Sequence, residues 1–525
     1  MNEAHPNRKW YTLAAMCFAL FMIMLDNTVV NVALPSIQRA LNTNQESLEW
    51  TINAYVVTFS ALILLGGKLG DRFGRKRMFL VGLAIFTVSS AACALATTDQ
   101  QLITFRAVQG AGGALMNPLS LSIIVTAFPR KQVATAIGIW AGISSLGLAL
   151  GPLLGGFLVD QVDWSAVFWI NVPIGVIAAA VTLYAVDESK DPTANTLDVV
   201  GTVLVTGGLF ALVYGLIKTN THAWLSAYTL GFMALAIVLL GGFVVWESRQ
   251  ANPMVPLGFF KKISFDVSAI VVSLVGFSLF GIIFFLTLYF QNVRGYSAQG
   301  AGALTLPLTG MTMVVAPLAG RLNPRIGPRV LMTVGMLLTS GALFTLSQIG
   351  VHTSYATMIV PAYVAMGIGL AMTMPTTAST AMGSVSPDKA GIASGVVNAS
   401  RQVGGALGIA VLGTVGASVA SSHWSDFAKT VPAATRPKIE ALQGAVIGGQ
   451  SRVIGRAAGS QAQDAAASSF VHGLNAAMYV GSGLTLIAAF IAFFGLKGYK
   501  EARAQAMSQA QGQGQGSQPP VAVEV

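Results

Sequence analysis

The chain has 525 residues, of which 54% are hydrophobic and only 10% charged, with a mean hydropathy of +0.67; an ordinary soluble domain carries about 25% charged residues. That balance excludes a soluble enzyme core and specifies a membrane protein with room for many spans, because one helix across a bilayer needs about 20 apolar residues. The formal charge of +10 follows from the loop asymmetry described next and calls for no nucleic-acid partner.

Long apolar runs broken by polar, Gly or Pro punctuation predict fourteen helices, at 10–34, 47–66, 77–97, 100–127, 132–158, 163–186, 196–218, 222–246, 265–292, 297–320, 329–350, 353–382, 389–420 and 467–496. The first run is too long for the core of a signal peptide and has no small-residue cleavage site after it, so it is expected to stay as helix 1. An even count puts both termini on one side. With that side cytoplasmic, two-thirds of the 30 basic residues fall in inner loops and tails, as the positive-inside rule requires. The expected location is therefore the cell membrane, multi-pass, with both termini cytoplasmic.

Two polar linkers, "DESKDPTANT" and "ESRQANPMVPLGFFKK", enclose the pair of spans within 196–246 and leave six spans on either side. The domain reading is a six-helix bundle over 1–186, a linker with two additional helices over 187–262 and a second bundle over 263–500. The second bundle includes a long outer loop, 421–466, expected to form short helices. "QAQGQGQGSQPP" lies in a polar, low-complexity tail, 501–525, expected to be disordered. The halves resemble each other: "GKLGDRFGRKRMFLVG" (67–82) aligns without gaps on "GRLNPRIGPRVLMTVG" (320–335), and "GAGGALMNP" before Pro118 matches "GIGLAMTMP" before Pro375. Duplication of a six-helix unit is the mark of transporters whose site lies between two rocking halves.

Four motifs carry mechanism. They are "LDNTVVNVALP" in helix 1, "GKLGDRFGRKR" between helices 2 and 3, "RAVQGAGGA" in helix 4 and "GLALGPLLGG" in helix 5. In this order, on these helices, they closely resemble the motif set of the major facilitator superfamily. The fourteen-span count and the helix 1 motif are similar to those of its drug:proton antiporters of the EmrB/QacA type. The resemblance implies an all-α major facilitator fold of two six-helix bundles plus two extra central helices, and an exporter driven by the proton gradient. It implies a conformational latch at the turn between helices 2 and 3, with Asp71 facing a helix N-terminus or Arg130 among Gly67, Gly70, Arg72, Gly74 and Arg75. In helix 5, Gly147, Gly151, Pro152, Gly155 and Gly156 form the family's antiporter motif. Small residues four apart allow close helix packing, and the proline removes a backbone donor so that the helix can bend. The second half has Pro324 in place of Asp71 and Arg401 in place of a Gly-Pro pair.

An ionisable side chain inside a span is costly and normally faces a partner or a wet cavity. Three such residues stand out: Asp26, Arg106 and Arg401. At roughly 1.5 Å per residue, Asp26 and Arg106 lie at similar depths, about 12 and 9 Å from the outer face, so they can meet. Burial and a neighbouring cation act on a carboxyl in opposite senses, and a movement that alters either changes proton occupancy. Asp26 is thus the proton-carrier candidate and Arg106 its partner. Substrate-cavity candidates are Asn27, Asn31, Tyr55, Gln109, Asn117, Asn398, Arg401 and Gln402, with Phe and Met walls. With Asp26 read as the only acid deep in a span, monocations, neutral compounds and zwitterions are expected before dications.

Cys17 and Cys93 both lie in apolar runs, and no metal cluster, nucleophile triad or phosphate loop appears, so neither an enzyme nor a cofactor is expected. The expected partners are an amphiphilic small molecule, protons and the lipid bilayer, for a monomer with an accessory export partner left open. Three functions stay open: proton-coupled export of toxic amphiphiles, dedicated export of one metabolite, antibiotic or lipid by the same mechanism, and a non-transporting membrane sensor or scaffold.

Overall fold

A computed structural model describes residues 8–190, 198–218, 222–223, 225–250, 253, 255–385 and 390–496; within them the side chains of Arg130 and Pro324 are outside the description. The expected tail 501–525 and part of the first linker also fall outside. The described residues are helical throughout, with no strand. In chain order the helices are α1 (Arg8–Ala40), α2 (Gln45–Phe73), α3 (Arg75–Ala94), α4 (Asp99–Ala127), α5 (Arg130–Gln161), α6 (Ala166–Trp169), α7 (Asn171–Ala185), α8 (Val199–Ile217), α9 (Ala227–Arg249), α10 (Ile263–Leu288), α11 (Ala298–Ala303), α12 (Leu306–Ile326), α13 (Pro328–Leu346), α14 (Val360–Gly383), α15 (Ala390–Thr430), α16 (Arg436–Glu440), α17 (Gln443–Ile447), α18 (Ser451–Ala458) and α19 (Ser460–Gly495).

Each of the fourteen expected spans falls on a helix or on a pair of consecutive helices. Among the described residues, twelve stretches are long and apolar enough to cross a membrane, and α2 adds a thirteenth when its two segments, bent by 51°, are taken as one. α5 has 32 residues and covers the remaining run. All-helical spanning is what a bilayer demands, since only a helix or a closed barrel satisfies every backbone group without water.

α15 and α19 run well past the expected limits of their spans. Together with α16–α18 they build a cap in which Trp424, Val446 and Ile454 are buried, so the long loop is a folded layer made largely of helix ends. The end of the bundle that holds Arg8 and the 70–77 turn is called here the near end, and the capped end the far end.

The internal duplication is visible in the packing. Gly74 (φ +111°) and Gly327 (φ +90°) occupy the same position in the two aligned segments, and both are left-handed. Each ends one helix and starts the next: the Gly74 amide donates to Gly70 O and the Gly327 amide to Asn323 O, both at 2.9 Å. Only glycine takes this backbone without strain. About two turns farther, α3 meets α4 where Gly112 lies against the Gly82 carbonyl, and α13 meets α14 where Gly369 lies against the Gly335 carbonyl. Matching glycine pairs thus make corresponding close helix crossings in the two halves.

α8 and α9 pack on one another, and α8 rests on both α2 and α15. Trp50 of α2 stacks with Phe210 and Tyr214 of α8 at 5.6 and 5.8 Å between ring centroids, and Thr414 of α15 donates to the Leu216 carbonyl at 3.1 Å. The extra pair therefore straddles a seam between the halves.

Replacing Gly327 by Ala places a side chain at a left-handed backbone position, which costs roughly 1–2 kcal/mol, and is expected to lower the thermal midpoint in detergent. Gly231→Ala in α9, where an added Cβ meets nothing within 4 Å, is expected to leave it unchanged or raise it. Equal midpoints for the two variants would contradict the turn geometry.

Candidate functional site

The polar run of α1 divides into groups that close on their own helix and one that reaches out. The Asn27 amide donates to Ile23 O at 2.8 Å, Thr28 Oγ1 to Leu25 O at 3.0 Å and the Asn31 amide to Asn27 O at 2.8 Å. Such bonds to the preceding turn satisfy a polar side chain inside a membrane helix. Asp26 does otherwise. Its Oδ2 accepts from Arg106 Nη1 of α4 at 2.6 Å, and its Oδ1 accepts from Gln109 Nε2 at 3.0 Å and Asn171 Nδ2 at 3.1 Å.

Arg106 and Asp26 are each 1% exposed, so this is an ion pair wholly inside protein. The guanidinium is held on several sides. Its Nε donates to Thr51 O at 3.1 Å, Nη1 also donates to Gln109 Oε1 at 2.7 Å, and its plane lies over the Tyr55 ring at 4.4 Å. Asn171 in turn donates to Ser90 Oγ, which donates to Phe168 O. α4 and α7 thus hold the carboxylate of α1, with α2 and α3 supporting the donors behind them. Gln109 and Tyr55, expected to face substrate, belong to this cluster.

α5 lies directly against the Asp26 turn. An added Cβ at Gly147 would meet Met24 at 3.0 Å, one at Gly151 would overlap the Thr28 hydroxyl, and one at Gly155 would meet Val29 Cα at 3.1 Å. This i, i+4, i+8 glycine stripe is what brings α5 onto α1. The next residue, Gly156, lies against Ala298 and Gln299 of α11, and the Pro152 carbonyl lies against Gly302. The antiporter motif therefore touches the Asp26 helix with one face and the other half with the next.

The far end is joined across the halves. Asp160 accepts from the amides of Ala298 (3.0 Å) and Gln299 (2.7 Å), the Gln291 amide donates to Val32 O at 2.8 Å, and the Asn292 amide donates to Gln38 Oε1 at 3.3 Å and Gly448 O at 2.9 Å.

At the near end, Asp71 accepts from Arg75 Nε and Nη2 at 2.9 and 2.8 Å, a pair within its own motif. Of the expected partners, the Arg130 side chain lies outside the described residues. The α3 N-terminus is instead capped by Glu188, whose two oxygens accept from the Lys76 and Arg77 amides at 3.0 and 3.1 Å. Gly70 lies against Leu119 and Gly67 within 3.8 Å of Pro118, while Arg72 is exposed, its guanidinium over Phe73.

Among the described residues, the remaining cavity candidates make no hydrogen bond to Asp26. Arg401 Nη2 donates to Asn398 Oδ1 at 3.0 Å within α15. Gln402 is 1% exposed with both amide atoms unpartnered. Asn117 is half-buried on α4, where its carbonyl accepts from Ser120.

Sequence reasoning missed Asn171, Ser90, Asp160, Glu188 and Glu49. Asn171 had a signal, a lone amide in the apolar run "FWINVPIGV". Glu49, in the first turns of α2, read as a helix-end charge, yet it is 0% exposed and as enclosed as Asp26.

A family profile for the Major Facilitator Superfamily matches residues 16–409. The chain is 37% identical over 511 residues to the tetracenomycin C resistance and export protein of Streptomyces glaucescens, covering 95% of this chain and 93% of that one. It is 37% identical to the multidrug resistance protein Stp of Mycobacterium tuberculosis (strain CDC 1551 / Oshkosh), over 77% of this chain and 75% of that one. Among solved structures, a bacterial homolog of the human lysosomal transporter Spinster, inward-facing and unoccupied, superposes with a TM-score of 0.66 at 18% identity, over 94% of this chain and 98% of that one. The chain belongs to the Major Facilitator Superfamily, and its fold and membership make it a transporter.

Arg106→Met, which leaves Asp26 buried without its cation, is expected to cost about 3–5 kcal/mol and to lower the thermal midpoint in detergent. Adding Asp26→Asn is expected to recover most of that loss. A double variant no more stable than Arg106→Met alone would show that the two groups are not coupled.

Proposed function

We propose that this chain is a proton-coupled antiporter that exports amphiphilic drugs or other toxic small molecules across the cytoplasmic membrane, with fourteen spans, two six-helix bundles and both termini in the cytoplasm. The Asp26 site carries this reading. A buried ion pair adds little net stability over well-packed apolar residues, so a carboxylate enclosed by Arg106, Gln109 and Asn171 is better explained by a task that needs an ionisable group. All three donors address the ionised form. Taking up a proton requires one of them to turn away, and so a change in packing among α1, α4 and α7.

α5 supplies the lever. Its glycine stripe rests on α1 from Met24 to Val29, and its Gly156 face contacts α11; a rocking of the halves that moves α5 therefore shifts the turn that holds Asp26. The contacts of Asp160, Gln291 and Asn292 across the halves support a state closed at the far, outer end. In that state Asp71 and Glu188 hold the near-end turn as a latch candidate. The proton gradient is the driving force, with no cofactor and no covalent chemistry, and the working unit is a monomer.

The names of the relatives support drug or antibiotic export. Dedicated export of one antibiotic is the second reading, favoured by the near full-length match to the tetracenomycin C export protein. A substrate-panel efflux assay in a pump-deficient host separates them: broad resistance supports the first reading, resistance to one chemical series the second.

Asp26→Asn is expected to insert and bind substrate yet lose efflux driven by a pH gradient in vesicles; full gradient-driven efflux in that variant would remove Asp26 as the carrier. Pro152→Ala is expected to fold and insert with impaired coupling, read as proton leak without substrate exchange. Tight exchange in Pro152→Ala would count against a hinge at this position.

A further inference from the structure

Glu49 has no part in the mechanism above, yet it is as enclosed as Asp26. It projects from α2 into the seam with α15, where Gly413 is bare backbone: an added Cβ there would overlap Glu49 Oε1. Its Oε1 accepts from Gln45 Nε2 at 2.9 Å, and its Oε2 is buried with no partner. The seam joins the two halves and is bridged by α8.

The charges around it do not neutralise it. On α2, Glu46 pairs with Lys218 at the end of α8 at 2.6 Å, and that carboxylate, outweighing partial burial, holds the Lys218 ammonium above the usual lysine range. On α4, Arg106 is engaged by Asp26, and Asp99 accepts from Ser47 and Thr43. On α15 the nearest charge on the membrane side is Arg401, about 18 Å away along the helix at 1.5 Å per residue. On α1, Arg39 bonds to Pro35 O and Ser36.

We propose that Glu49 is a second proton-binding group, housed in the α2–α15 seam in its protonated form, so that opening the far end of that seam and releasing the proton to the far side are one event. An ionised carboxylate with one donor and a bare oxygen, sealed from water, is strongly disfavoured, whereas a carboxylic acid fits the same space. When α15 draws away, water reaches Glu49 and the acid O–H bond breaks heterolytically, the proton passing to water and the electron pair staying on the carboxylate. Closure then requires a proton to return. By linkage, protonation favours the closed seam as much as closure favours protonation. Gly413 makes the arrangement possible, because any side chain there would displace Glu49 or hold the helices apart.

The proposal rests on the antiport reading only for its consequence, a cycle that carries one proton more than Asp26 alone provides; the tests below read the seam and the carboxyl group directly. Full-length protein is reconstituted in lipid nanodiscs, with spin labels at Asn42 and Ser425 for distance measurement, and followed in parallel by infrared difference spectroscopy between about pH 5.5 and pH 9. The labelled protein with native Glu49 and Gly413 is expected to show a protonated-carboxyl band lost at high pH together with a longer label separation. Glu49→Gln keeps the amide bonding and the shape but cannot ionise; it is expected to lose that band and keep the short separation at every pH. Gly413→Ala is expected to lengthen the separation at every pH and weaken the band, and Asp26→Asn to retain the Glu49 band. A band that persists in Glu49→Gln, or a seam with the same pH response in that variant, overturns the proposal. Proton-independent efflux with an intact Glu49 band overturns antiport and leaves the seam acid standing.

Discussion

The constraint on which the structure depends is the burial of charge where water cannot follow. A carboxylate in a membrane bundle must be given donors from the protein itself, and Asp26 receives three, from α4 and α7. Meeting that demand draws α1, α4 and α7 to a common point, and places Thr51, Tyr55 and Ser90 of the intervening helices around it. The packing of the first bundle is in this sense arranged about one ionisable group. The same enclosure ties the state of this group to how closely those helices are held together.

Glycine sets the close approaches. These contacts are glycine against backbone or against a neighbouring side chain: Gly147, Gly151 and Gly155 on α1, Gly156 and Gly302 between the halves, Gly413 on Glu49. Neighbouring groups take the space a Cβ would fill, as Thr28 does at Gly151 and Glu49 at Gly413. Polar contacts fasten the far end: Asp160 to the α11 amides and Asn292 to Gln38 and Gly448.

The two halves use one scaffold for unequal tasks. Gly74 and Gly327 make the same turn, and the Gly82–Gly112 and Gly335–Gly369 crossings repeat. Yet the ion-pair site lies in the first half, and the second half places Arg401 against Asn398 on α15. The extra pair α8–α9 adds contacts to both halves at once through Trp50, Lys218 and Leu216, so any opening of the α2–α15 seam must be accommodated by α8.

Much of this was legible in the residues. Runs of apolar sequence located helices because a bilayer leaves the backbone only one way to satisfy itself along a single chain segment. The depth of Asp26 and Arg106 followed from helix rise, and the internal repeat from ungapped glycine spacing. Tertiary structure decided what periodicity does not encode: which face of each helix meets which neighbour. It assigned Tyr55 and Gln109 to the ion pair, gave Asp71 to Arg75 and the α3 N-terminus to Glu188, folded the ends of α15 and α19 into a cap, and sealed Glu49 against Gly413. A helix sequence states how polar a residue is and how deep it lies; whether that residue faces water, lipid or another helix is fixed by helix rotation and crossing, and these arise only from packing between segments far apart in the chain.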